Sequence, residues 1–151
     1  MKLLFATDGA KRSLAAIEML KHFALGSDDS VIIITVIDMA VPMGIDIYGG
    51  YLPDTTQLEK SARENADRIL AETAEILRSY FTSTDLNITT EVLFGSPERR
   101  IVEKAEETHP DLVVVGSHNH SRWERLLIGS VSNSVVHHAP CSVLVVRTLD
   151  Q

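Results

Sequence analysis

Two glycines and a pair of hydroxyls within residues 111–131, DLVVVGSHNHSRWERLLIGSV, carry the most specific chemistry in this chain. An apolar run over 112–115 breaks at Gly116, a polar loop follows, and Gly129 then precedes Ser130 and Ser132. A strand, a loop and a fresh helix start can aim backbone N–H groups at an anion, because the first amides of a helix have no partner within it. Taken as residues alone, the stretch reads either as a phosphate site or as a plain loop with a helix cap. It is not a Walker loop, since no Gly-Lys-Ser/Thr follows the strand. Nor is it a dinucleotide fingerprint, which opens the first β-α unit.

The other reactive side chains fit structural roles. Asp8, after the first apolar run, reads as a turn residue or helix cap. His118 and His120 have metal-like spacing but no acidic or thiol partner nearby, so no zinc site is expected. His137 and His138 fall at a helix C-terminus, where the dipole favours imidazolium. Cys141 adjoins a buried strand and reads as a small core residue rather than a nucleophile. Trp123, Leu126 and Leu127 are expected to pack while Arg122 and Arg125 face solvent, within reach of a phosphate.

These residues need strands and helices to position them, and the pattern alternates between the two throughout. Residues 3–6 form a short apolar strand stopped by Thr7-Asp8-Gly9. Residues 10–25 put Leu14, Ile17, Leu20 and Ala24 on one helical face, closed by Gly26. The β-branched run 31–37 reads as a strand buried on both sides. Residues 58–80 repeat apolar positions at three and four, from Leu58 through Ala66 and Leu70 to Tyr80, a long amphipathic helix. Residues 88–94 alternate polar and apolar, which suits a strand near a sheet edge. Ser96 is the expected N-cap and Pro97 the first residue of a helix with Ile101, Val102 and Ala105 inside, ended by His109-Pro110. After the strand at 112–115, a helix over 130–138 leads to a last strand, Val143, Leu144, Val145 and Val146.

Five strands joined by helical connections predict an α/β fold, an open, doubly wound parallel sheet with helices on both faces. Such sheets bind ligands beyond the C-terminal ends of their strands, where Thr7-Asp8-Gly9 and Gly116-Ser117-His118 both fall. The last strand is expected at the sheet margin, where pairing with a second copy would cover its apolar edge and give a homodimer. The irregular stretch 38–57 is long enough to be functional or mobile.

Composition bounds the rest. The length, 151 residues, fits a single domain spanning 1–151, and 44% hydrophobic with 23% charged residues is ordinary for a globular chain. The formal charge of −7, from 14 basic and 21 acidic residues, disfavours a nucleic-acid surface. A lone cysteine fits a reducing cytoplasm, and no apolar run approaches the ~18–20 residues of a membrane span.

Several segments, in order, resemble the universal stress protein family. Gly116-Ser117-His118, with nine residues between position 119 and Gly129-Ser130, resembles its signature of Gly, two residues, Gly, nine residues, Gly and Ser or Thr. LFATDG at 4–9, VIIITVID at 31–38, Gly95-Ser96-Pro97, DLVVVG at 111–116 and APCSVLVV at 139–146 resemble its other landmarks, so the likeness spans essentially the whole chain. The resemblance implies a Rossmann-like sheet of order 3-2-1-4-5, a homodimer through the fifth strands, and ATP at the strand ends, with Mg²⁺ left open. By position, Asp8 would accept hydrogen bonds from the ribose, and Val36 would meet adenine through its backbone beside Ala6 and Thr7. Gly116, His118, Gly129, Ser130, Val131 and Ser132 would surround the phosphates, with Ser130 and Ser132 as hydroxyl donors, and Val115 and Asn119 would belong to the same cofactor-binding set. One position departs from the family pattern: the second glycine is Asn119 here. Asparagine is the non-glycine residue that best tolerates a left-handed backbone, so the loop path can persist with a side chain that crowds the phosphates or donates to them.

The resemblance implies a dimeric, ATP-binding regulatory protein of the stress response, with slow turnover at most, since no general base or arginine finger is evident. The alternative is an interaction protein of the same fold with an empty site, acting through its dimer surface and the 38–57 stretch. A true ATP-dependent ligase or hydrolase would need further motifs that this chain lacks.

Overall fold

A computed structural model describes residues 1–38, 55–117 and 129–147. Five strands, β1 (Lys2–Ala6), β2 (Ser30–Ile37), β3 (Asn87–Phe94), β4 (Leu112–Gly116) and β5 (Ser142–Val146), make one sheet. Every pairing is parallel, in the order β3-β2-β1-β4-β5. Among the described residues four helices, α1 (Lys11–Leu20), α2 (Thr55–Tyr80), α3 (Pro97–Thr108) and α4 (Ser130–His138), alternate with the strands. The expected doubly wound α/β architecture is therefore the one observed. Among the described residues no helix is long and apolar enough to cross a membrane.

Strand alternation divides the core in two. Leu3, Phe5, Val31, Ile33 and Val114 point to the face covered by α1 and α2, where they meet Ile17, Leu20, Leu70 and Leu77. Leu4, Ile34, Val113 and Val115 point to the opposite face and meet Ile101, Ala105 and Val135 of α3 and α4. In β1, Leu3, Leu4 and Phe5 are all fully buried, which is why this central strand reads as an unbroken apolar run. Each such side chain contributes about 1.5–3 kcal/mol by leaving water.

Three expectations change in detail. The first helix ends at Leu20 rather than near residue 25, with Lys21, His22 and Phe23 donating to carbonyls three residues back. That tightening turns the chain so that Leu25 is buried, while Leu14 and Ala24 are exposed and the inner face is Ser13, Ala16, Ile17 and Leu20. The long helix begins earlier, at Thr55, and Leu58 is 64% exposed, so its buried stripe starts at Ala66. Ser96 does occupy the N-cap of α3, but its hydroxyl makes no capping bond. It hydrogen-bonds the Glu98 carboxyl instead, which that bond and Glu98's own backbone N–H, the larger cause, hold below its usual pKa.

α3 also carries the most buried ammonium group described. The Lys104 side chain, 10% exposed, reaches Glu91 of β3 at 2.7 Å and Glu107 at 3.2 Å. The Glu91 hydrogen bond outweighs desolvation and raises the lysine above its ordinary 10.5. A raised folded pKa means this stabilisation is fully present below the unfolded value and is lost as pH rises through the folded one. Lys104→Met is expected to shift stability by less than about 1 kcal/mol at pH 7, because both carboxylates are substantially solvated. It should also flatten the loss of stability above pH ~10.5. A steeper alkaline decline than wild type in thermal melts would contradict this assignment.

Candidate functional site

β1 stops at Ala6 while β2 runs on to Ile37, and that difference in length opens the site. The Thr7 N–H still donates to the Ile34 carbonyl at 2.9 Å, the last bond between the two strands. Backbone groups of alternate strand residues face opposite neighbours, and the Ile37 carbonyl accepts the Gly95 N–H on the β3 side. The N–H and C=O of Val36 therefore face the β1 side, past the end of that strand. They form a donor and acceptor side by side at the edge of a cavity.

This cavity, of about 290 Å³, lies over the C-terminal ends of β1, β2 and β4 at the point where strand order reverses. Ten of the twelve expected residues line it: Ala6, Thr7, Asp8, Val36, Val115, Gly116, Gly129, Ser130, Val131 and Ser132. The other two, His118 and Asn119, lie outside the described residues, as do His120, Arg122, Trp123, Arg125 and the stretch 39–54. Ser13, Ile34, Pro97 and Ile101 also line it and were not anticipated, and Ser117, expected just past the end of β4, lines it too. Ile34 points one step back along the same strand face as Val36, a period-two signal that was available. Pro97 and Ile101 arrive through the packing of α3, for which the sequence carries no local signal.

Some of the polar groups are already hydrogen-bonded and others are open. Asp8 Oδ1 accepts from the Ala10 N–H at 2.9 Å and from the Ser13 hydroxyl at 2.7 Å. Asp8 thus does shape the turn, as its residue type predicts, with one oxygen only; among the described residues Oδ2 accepts no hydrogen bond. The Thr7 hydroxyl oxygen accepts the Gly9 N–H at 3.2 Å. At α4, Gly129 is the N-cap and the buried Ser132 hydroxyl donates to its carbonyl at 3.0 Å. Ser132 is therefore not a free hydroxyl donor in this conformation, whereas Ser130 is exposed at the first turn. No side chain caps α4, so its leading amides are available at the cavity.

Outside the cavity, His137, His138 and Cys141 have structural surroundings. His137 and His138 contact the Asn133 and Ser134 carbonyls through Nδ1 at 2.8 Å, tying the end of α4. Cys141 is half-buried and packs beside the α3–α4 core, and burial pushes its thiol pKa up, against thiolate chemistry. Among the described residues no cluster of three or more metal-ligating side chains occurs.

Comparison with known proteins gives one consistent result. A family model described as "Universal stress protein family" matches residues 1–147. A putative universal stress protein of Staphylococcus aureus strain USA300 is 31% identical over 147 residues, covering 97% of this chain and 83% of its own. The crystal structure of hypothetical protein PH0823 superposes with a TM-score of 0.72 at 26% identity, covering 99% of this chain and 98% of that one. A universal stress protein solved in complex with cAMP gives a TM-score of 0.68 at 25% identity, over 99% of this chain and 98% of that one.

Proposed function

The chain belongs to the universal stress protein family, and from that premise we propose that it is a regulatory protein that binds an adenine nucleotide, ATP, in the cavity above β1, β2 and β4. One observation carries the reading. Thr7-Asp8, Val36, Gly116 and Gly129-Ser130, from four separate segments, converge on a single cavity. The relative solved with cAMP, alike in fold over nearly all of both chains, supports an adenine ligand.

The geometry divides the ligand by chemistry. Ile34, Val36 and Ile101 offer the apolar slot an aromatic base requires, with the Val36 backbone donor and acceptor along its edge. Asp8 Oδ2 is a carboxylate oxygen suited to the ribose hydroxyls. Gly116, Gly129, Ser130 and the start of α4 suit the phosphates, since a helix N-terminus favours negative charge. Asp8 is the one carboxylate among the described lining residues, so Mg²⁺, where it accompanies ATP, would be held chiefly by the phosphates. We further read residues 1–151 as a single cytoplasmic domain that pairs as a homodimer through the open edge of β5.

The test is the nucleotide content of gently purified protein, followed by calorimetry with ATP. Wild type is expected to carry adenine nucleotide and to give saturable heat. Gly129 is extended, with φ −56° and ψ 156°, a conformation that valine also adopts. Gly129→Val should therefore fold normally and weaken ATP at least tenfold, by placing a branched side chain over the first amides of α4. No heat from wild type at millimolar ATP would overturn the proposal and favour the interaction-protein reading. Binding restored by Asn119→Gly would then identify that asparagine as the block.

A further inference from the structure

We propose that Ser13 is a positioning residue of the nucleotide site, holding the Asp8 carboxylate so that its second oxygen is presented to the ribose hydroxyls. This rests on the adenine-nucleotide reading above and assigns a role to a residue outside the glycine loop.

The Ser13 hydroxyl grips Asp8 at two points. Its oxygen donates to Asp8 Oδ1 at 2.7 Å and accepts the Asp8 backbone N–H at 3.4 Å. Oδ1 also accepts the Ala10 N–H at 2.9 Å, so one carboxylate oxygen is fixed by two donors. Two bonds on one oxygen define the plane and direction of the group and leave Oδ2 unpaired among the described residues. Ser13 is 6% exposed and lines the cavity beside Asp8.

A purely structural account, in which Asp8 shapes the turn into α1, explains the Asp8–Ala10 bond but not the Ser13 hydroxyl's bond to the same oxygen. The N-cap of α1 is Ala10, whose own side chain makes no capping bond. The Ala10 amide that Asp8 accepts precedes the helical residues, and the Ser13 amide is satisfied by the Ala10 carbonyl at 2.9 Å. Asp8 therefore satisfies the N-cap amide of α1, while the Ser13 hydroxyl, which pairs with no amide of the helix, orients the carboxylate. A solvent-exposed carboxylate does not need a protein donor for its own stability, because water supplies one. A ligand-binding carboxylate gains from being held, since the ordering cost is met before the ligand arrives.

Calorimetry on wild type and Ser13→Ala, with ATP and with 2′,3′-dideoxy-ATP, tests this directly. Wild type is expected to prefer ATP by about tenfold, the value of a charge-assisted hydrogen bond to the ribose. In Ser13→Ala, ATP affinity should fall about fivefold while dideoxy-ATP affinity stays within twofold, so that the preference nearly disappears. Ser13→Ala should have no further effect on ATP in an Asp8→Ala background, because the serine acts only through that carboxylate. A merely structural serine would weaken both nucleotides equally and add its effect to that of Asp8→Ala; either result overturns the positioning role while leaving nucleotide binding intact. Wild type that binds neither nucleotide overturns both proposals together.

Discussion

Gly9→Ala is expected to cost about 3 kcal/mol of stability, lowering the melting temperature by roughly 8 °C in a chain of this size. Two separate effects combine. Gly9 sits at φ +74°, a left-handed backbone that costs an L-residue about 1–2 kcal/mol. A Cβ there would lie 2.7 Å from Ile69 Cγ1 and 2.8 Å from Cδ1, on the flank of α2. Overpacking of that kind adds about 1–3 kcal/mol, because a branched side chain in a helix has few rotamers to retreat into. The two effects separate in a double-mutant cycle. With Ile69→Ala, the clash is removed and Gly9→Ala should cost only the backbone penalty, leaving a coupling of about 1–2 kcal/mol. An equal cost in both backgrounds would show that the contact with α2 contributes nothing. The position matters beyond stability, since Gly9 lies between the carboxylate of Asp8 and the amide of Ala10 that helps orient it.

That turn also shows what could be read in advance and what could not. Residues at strand ends announce themselves, because a buried parallel strand is an apolar run and the ligand-facing turn is where the run breaks. Thr7-Asp8 and Gly116 were legible for that reason, whereas Gly129-Ser130, at a helix start rather than a strand end, needed the family resemblance to be told from a plain cap. All reach one cavity. Ser13 was not, although it follows Asp8 by five residues, because a serine on a helix face carries no mark of pointing back over the preceding turn. The misplaced end of α1 has the same origin. Apolar residues continue at near-helical spacing through Ala24 and Leu25, but the chain leaves the helix at Leu20 so that Leu25 can reach the core. Periodicity reports which residues are apolar, whereas tertiary packing decides which path buries them. The edge position of β3 was readable, because Thr89, Thr90 and Glu91 interrupt it with polar groups, whereas β1 and β4 are apolar through their middles.

Val145→Pro is expected to weaken self-association about a hundredfold while leaving the fold intact, provided that the open edge of β5 is the homodimer contact. The argument is one of backbone direction. The Ser117 N–H donates to the Val146 carbonyl at 2.8 Å, so the backbone groups of Val146, and by alternation those of Leu144, face β4. Those of Val143 and Val145 face outward from the sheet margin. Proline at 145 removes a donor that β4 does not use and puts a ring where a second strand would approach. In a two-fold contact each copy carries the change, so two hydrogen bonds are lost together, about 3 kcal/mol or a hundredfold in dissociation constant. Proline at 144 is the control. It removes a donor facing β4, and it should cost about 3 kcal/mol or more of fold stability. Sedimentation and thermal melts on the two variants therefore read different properties of one strand. A Val145→Pro protein that melts like wild type and still sediments as a dimer would place the contact on another surface. A monomer with wild-type stability would mean that the apolar margin of β5 is managed in solution by a second copy of itself.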